Sequence, residues 1–367
     1  MQLISYIAPS APATRRPATG EEPFLRPEIG FTPQWYHREL GIDFGERWHI
    51  DPRYRGETVV AMRSLLCERF TRSDAASRFA ESQPLDLLTG VFGACTVAGL
   101  YGLGIQYAAD GWPVCEEGAL AENRLAQIEP PDLADNAFFR RLLSQVDWIA
   151  AHRGRVTGYI NWQGVLNNAM RLRGQRLYID MAENPLEVRR LFDAVCTTMI
   201  EAAGMLYERQ KRTGETVRFF TVSNCLVNMI SPEMYAGQLL VFDQRIARKF
   251  GCIGVHNCAW NADPYLAAYA RIPHVAYIDM SMDSDLRRAR TLFPAARRAI
   301  MYPPTDVADK STAEIGADLE RIARDYGPCD IVAADIDVNT PDDKVHSLLR
   351  WCEEISSAEW VNDLQDR

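Results

Sequence analysis

From residue 156 to the end of the chain, short apolar runs alternate with longer stretches of helical period. The runs at 156–161, 217–223, 252–256, 275–279, 298–302 and 329–335 predict strands, each ending in turn residues. Helix starts fall between them: Asn184-Pro185-x-Glu187, Ser231-Pro232, Asp263-Pro264, Ser311-x-x-Glu314 and Thr340-Pro341-x-Asp343 each place a capping residue beside a proline or an acid. A short helix is predicted at 284–292. Further upstream, 54–70 and 138–152 read as helices. Strands alternating with helices mean βαβ units and a parallel sheet. With one or two more strands upstream, the expected fold is α/β, a (β/α)8 TIM-type barrel. An open doubly wound sheet is the alternative, weakened because no G-x-G-x-x-G follows any strand.

Two segments depart from this rhythm. Residues 1–45 are rich in proline (Pro9, Pro12, Pro17, Pro23, Pro27, Pro33) and predict an irregular N-terminal arm, which leaves 46–367 as a single barrel domain. Residues 87–109 carry no charge and are long enough to span a bilayer. Their five glycines and the absence of flanking basic residues instead predict a buried, glycine-rich core segment.

Composition narrows the function. A net charge of −9 without a basic block argues against a nucleic-acid partner, and 47% hydrophobic with 24% charged residues is the balance of a globular enzyme. Nine scattered cysteines, an odd number, and no signal peptide fit reduced thiols in a cytoplasm.

The chemistry concentrates after the strands, where a barrel places its active site. His256 and Cys258 stand two apart at a strand end, so their side chains leave on one face, and imidazole with thiolate suits zinc. Such a pair can also be a core cysteine beside a satisfied histidine. Other strand ends bring Asn161, Trp162 and Gln163, then Asn224, Cys225 and Asn228, then Trp260, Asp279, Asp335 and Asp337. Cys225, or Asp335, is the expected third ligand. Cys329 starts the last strand, roughly 20 Å from its end, and is expected to be a core thiol.

With these segments placed, the chain resembles the uroporphyrinogen decarboxylase superfamily, and within it the zinc-dependent corrinoid/thiol methyltransferase branch. The resemblance lies in residues 159–174 with Asp180-Met-Ala-Glu-Asn-Pro185, in Ile230-Ser-Pro-Glu-Met-Tyr235, and in Val255-His-Asn-Cys258 followed late by Asn339-Thr-Pro341. It implies the barrel, a zinc ion activating a thiol acceptor, and a corrinoid methyl donor carried by a partner protein. Under it, His256 and Cys258 hold metal, with Cys225, from its strand end, as the expected third ligand, while Asp335, Asp337, Asn224 and Asn228 are catalytic candidates. Asn161, Trp162, Gln163, Trp260 and Asp279 are candidates for substrate contact. The branch has its second cysteine at the end of the last strand, where this chain reads Ala334-Asp335-Ile336-Asp337. Two rival functions are a cofactor-free decarboxylase of an acidic, pyrrole-like substrate, its carboxylates held by arginines at 47–55, and a corrinoid or small-molecule binding protein.

Overall fold

The apolar runs become the strands of one parallel sheet. The computed structural model describes residues 2–3, 18–20, 22–70, 84–118, 120–121, 125 and 127–365. Its strands are β1 (Leu25–Phe31), β2 (Phe220–Ser223), β3 (Ile253–His256), β4 (Val275–Met280), β5 (Arg297–Met301) and β6 (Cys329–Ile336). They lie in the order β1-β6-β5-β4-β3-β2, all parallel, with the two-residue strand Gln2–Leu3 outside β1. Helices fill the connections. Ser311 makes the expected capping box with Glu314 at the head of Thr312–Tyr326.

Three expectations are corrected. Within the stretch expected to be irregular, Leu25–Phe31 is a buried strand paired with β6. Arg26, Pro27 and Glu28 hide it in the sequence. The two charges are nonetheless accommodated, since Arg26 reaches Glu28 at 2.6 Å and Asp330 at 2.7 Å, and Arg297 meets Asp330 at 2.7 Å. Residues 156–161 form no ladder strand, and only Thr157 pairs, in an isolated parallel bridge with Asp86. The cause is a side chain: Gln210 Nε2 donates to the carbonyls of Val156 and Gly158, and Thr213 Oγ1 takes the Val156 N–H, so the ladder's groups are already spent. Asp263 does not start a long helix. Its carboxylate accepts from Asp285 N, and the helix that follows is only Leu266–Tyr269.

Register divides the sheet into two faces. Thr221 pairs with Gly254, Ser223 with His256, Gly254 with Tyr277, Asp279 with Ala299, and Met301 with Val332. Alternation then sets all of these side chains on one face. The opposite face carries Phe220, Val222, Ile253, Val255, Ile278, Met280, Ile300 and Ile331, which join the main core beneath the helices. The first face is polar or small, with its own minor apolar cluster of Tyr277, Ala299, Val332 and Ala334. Gly254 is required there, because a Cβ at this position would lie 2.5 Å from Thr221 Oγ1.

Of the uncharged segment 87–109, residues 87–100 are buried as expected, in turns and the helix Thr96–Leu100, but 101–109 are half-buried or exposed and carry one strand of a hairpin, Ile105–Gln106 against Val114–Cys115. Among the described residues no helix is long and apolar enough to cross a membrane.

Candidate metal centre

β2 and β3 deliver three ligand atoms to one point. Beyond β2, the Asn224 N–H donates to the His256 carbonyl at 2.7 Å, which extends the pairing and carries Cys225 alongside the end of β3. Beyond β3, Cys258 adopts a left-handed backbone, φ +57°, which turns its thiol back toward His256. Cys258 Sγ lies 2.9 Å from Cys225 Sγ and 3.1 Å from His256 Nε2. The three ligand atoms lie within 4.8 Å of one another, and the group could hold a metal ion such as zinc. Two thiolates and an imidazole are the donors zinc prefers, leaving a fourth tetrahedral position for another group. Sulfur atoms on a tetrahedral zinc stand about 3.8 Å apart at Zn–S distances of about 2.3 Å, so seating the ion spreads the thiols by about 1 Å. Both cysteines are half-buried at the surface of the site, where such rotation is possible.

Behind the histidine stands a fully buried carboxylate. His256 Nδ1 donates to Asp279 Oδ2 at 2.6 Å. In the neutral ring the proton therefore sits on Nδ1, and the Nε2 lone pair faces the thiols. Asp279 is itself held: Tyr277 OH donates to Oδ2 at 2.8 Å, and Asn257 N to Oδ1 at 2.7 Å. Asn257 also donates to the Asp279 carbonyl and accepts from Tyr269 OH. With both oxygens engaged and the side chain fully buried, Asp279 orients His256 instead of meeting substrate as expected.

Burial disfavours a charged His256, but the Asp279 carboxylate and Cys225 outweigh it and push the ring up to about 10. Without an ion, the folded protein thus binds a proton more tightly than the unfolded chain does, whose histidine titrates near 6.5. That contribution to stability is complete below pH 6.5 and is lost as pH rises toward 10. Thermal melts in chelator should therefore show Tm falling over this window, and His256→Gln should flatten the slope. An unchanged slope in that variant would assign the effect elsewhere.

The remaining expected residues divide by position. Asp335, φ +58°, ends β6 with its side chain reaching solvent. The protein packed around it shields the inner part of this carboxyl from water and raises it, His256 pulling the other way, although its outer edge is open to solvent. Asp335 also acts electrostatically on Cys258, which puts it beside the centre, although it is not among the three clustered ligands. Asp337 is exposed and folds its loop by accepting from Asn339 N. Asn228 is exposed in the turn Val227–Met229 after Cys225. Asn224 is buried and donates to Asp243, which also accepts from Tyr235 OH; burial raises the Asp243 carboxyl to about 6.

Asn161 and Gln163 are buried and bonded to each other, and Gln163 Oε1 accepts from Asn167, whose own Oδ1 receives the Leu226 N–H at 3.3 Å. The backbone joins them to the centre as well. A Cβ on Gly164 would lie 2.4 Å from the Ser223 carbonyl, so only glycine lets this loop pack on the end of β2. Trp162 is fully buried within the main core, so it packs the scaffold instead of walling an open pocket. Trp260 is half-buried against Tyr265.

Cys329 is buried at the start of β6, and burial raises its thiol, as expected of a core cysteine. Cys329→Ala should cost about 1 kcal/mol of stability and leave metal content unchanged, measured by denaturant titration and elemental analysis. The arginines of the decarboxylase alternative do not gather at this site. Arg55 is fully buried and spends its donors on Leu87 O, Trp48 O and Gln145, while Arg47 pairs with Asp51 in the open.

Sequence reasoning missed Asn257, Tyr269 and Tyr277. A signal for the last was present, since Tyr277-x-Asp279 sets two polar groups on one face of a strand next to that of His256.

No family model matches the sequence, and none of the curated proteins matches it. Comparison of structures gives a different result. The chain shares its fold with a methyltransferase from Methanosarcina mazei. That structure superposes with a TM-score of 0.62 at 14% identity, over 89% of this chain and 92% of the other. At this identity the likeness carries the fold and leaves the chemistry to the residues of the centre.

Proposed function

We propose that the chain is a zinc-dependent methyltransferase of the uroporphyrinogen decarboxylase-like superfamily, acting on a thiol from the mouth of a closed (β/α)8 barrel. The observation that carries this reading is the convergence of Cys225, His256 and Cys258 at adjacent strand ends, with Asp279 fixing the imidazole. Barrel closure is supported by the sheet's second face, which is polar and small where an open doubly wound sheet would need an apolar surface for helices. It is also supported by Tyr159, whose hydroxyl accepts from Thr221 N at 2.8 Å and so sets 159–164 beside β2. The Thr157–Asp86 bridge would continue the circuit.

Zinc supplies a Lewis acid that lowers the pKa of an acceptor thiol, which provides a thiolate nucleophile at neutral pH. The protein's own groups do the rest. Cys225, His256 and Cys258 hold the ion, and Asp279 keeps the histidine proton on Nδ1. Asp335, whose charge acts on Cys258 from the end of β6, is the carboxylate that would accept the thiol proton. Asn228, exposed after Cys225, and Trp260, half-buried after Cys258, would meet the substrate, with Asn161 and Gln163 bracing the loop that carries Cys225. The methyl group would come from a corrinoid on a partner protein.

The test uses cobalt(II)-substituted protein, whose absorption reports the ligands of the ion. Small thiols should change that spectrum, and zinc-loaded protein should then demethylate methylcobalamin only when thiol is present. Protein that binds no divalent ion, or a cobalt spectrum indifferent to thiols, would overturn the reading.

A further inference from the structure

Each thiol of the metal centre follows a buried asparagine, as Asn224-Cys225 and Asn257-Cys258. Asn224 continues the parity of Phe220 and Val222, and Asn257 that of Ile253 and Val255, so both amides leave toward the core beneath the helices. A polar side chain on that face is costly unless it is bonded. Asn257 bonds the Asp279 carbonyl and the Tyr269 hydroxyl. Asn224 bonds Asp243: its Nδ2 donates to Asp243 Oδ2 at 3.0 Å, and the Tyr235 hydroxyl donates to the same oxygen at 2.6 Å.

Asp243 lies on the helix Leu240–Phe250 and is 2% exposed, and neither of these two donors carries a charge. A buried carboxylate so placed burdens folding where an apolar side chain would not. The helix is also shaped to allow the arrangement. Tyr235 and Asp243 stand eight positions apart, which would set them about 80° apart around a regular α-helix. The π-helical turn Tyr235–Leu239 takes up one residue more than an α-turn. The two side chains therefore return to nearly one face, and the hydroxyl meets the carboxylate.

We infer that Asp243 is a positioning residue of the metal centre, which through Asn224 sets the direction in which Cys225 leaves β2; this rests on the zinc site proposed above. The Asn224 N–H on the His256 carbonyl fixes how far along β3 the chain lies, whereas the side-chain bond to Asp243 fixes its rotation. Consecutive side chains leave an extended chain on opposite sides. Holding the amide toward the helices thus turns the Cys225 thiol toward His256 and Cys258. Asn257, between those two ligands, is anchored in the same layer, and the anchors touch, Tyr235 and Tyr269 meeting edge to face at 5.2 Å.

The experiment measures, in the full chain, zinc affinity by chelator competition and the thiolate-to-cobalt charge-transfer absorption per bound cobalt(II) ion. Asp243→Leu, similar in size but without an acceptor, should bind zinc about 10- to 100-fold more weakly. It should also lose about half of that absorption per ion, because one of the two thiolates is displaced. Asp243→Asn should stay within a few-fold of the unchanged chain, since an amide oxygen in the place of Oδ2 still accepts from Asn224 and Tyr235. Tyr235→Phe removes the other donor, and should lower Tm while leaving both metal readings as they were. Asp243→Leu with unchanged affinity and absorption would overturn the inference. So would Asp243→Asn losing as much as Asp243→Leu, or Tyr235→Phe losing metal alongside it. If Asp243→Leu does not fold, Asn224→Ala cuts the same bond from its other end and decides by the same two readings. An unchanged chain that binds no ion would instead remove the zinc reading itself, and this inference with it.

Discussion

Cys225→Ser should bind zinc at least about 100-fold more weakly than the unchanged chain, with the fold retained. Disturbing a group that only supports a ligand costs about 10- to 100-fold in affinity, so losing a thiolate ligand itself should cost more. The site has three clustered protein donors, and a serine hydroxyl is a poor zinc donor, so two would remain. The fold should survive because Cys225 is half-buried in a loop whose backbone is held independently, through Asn224 N to His256 O and Leu226 N to Asn167. Cys258→Ser should behave alike, and Cys329→Ala should keep its ion. The check is zinc stoichiometry after dialysis and competition with a chromophoric chelator. Full occupancy in Cys225→Ser, together with loss in Asp335→Ala, would transfer the third ligand to the carboxylate.

Asp279→Asn should weaken zinc binding by about 10- to 100-fold, and in the ion-free protein it should lower the melting temperature at neutral pH by removing the buried pair with His256. The substitution preserves shape, and the amide oxygen can still accept from Asn257 N. The amide NH2 then faces His256 Nδ1 where an acceptor stood. Two donors cannot face each other, so the ring shifts its proton to Nε2, the atom the ion needs. Asp279→Ala lacks this compensation. It leaves the Asn257 N–H and Tyr277 hydroxyl without an acceptor in a fully buried place, so it should lose stability as well as metal, at about 1–3 kcal/mol for each group stranded. Chelator competition and thermal melts on both variants separate orientation from packing. Unchanged affinity in Asp279→Asn would show that the histidine does not depend on this carboxylate.

The sheet was legible where each strand reads as a short apolar run with a turn behind it, as β3 to β6 do. It was illegible where a side chain overrode the backbone pattern. The 156–161 run has strand composition, but Gln210, more than fifty positions away, takes its carbonyls. The strand Leu25–Phe31 failed the apolar test because Arg26 and Glu28 find partners only in the folded sheet. In the centre, the His-x-Cys spacing shows two ligands at once. The third depended on which strand end adjoins β3, and strand order, not residue type, brings Cys225 to it. Asp279 was visible as a residue at a strand end, but only the geometry gives its direction, toward Nδ1 and away from any opening.

One consequence lies in the order of assembly. The three clustered ligands and Asp279 all belong to residues 225–279, on three neighbouring strands, whereas seating β1 requires Leu25 to find Cys329 roughly three hundred residues later. Closing that long loop costs about 2 kcal/mol more chain entropy than closing loops a few tens of residues long. The strip bearing the ligands is therefore the low-contact-order part of the sheet and pairs first. It is also complete before the ribosome has delivered β6. An ion available during synthesis would meet a finished binding site on an unfinished protein, and would hold that strip together while the first and last strands wait for each other.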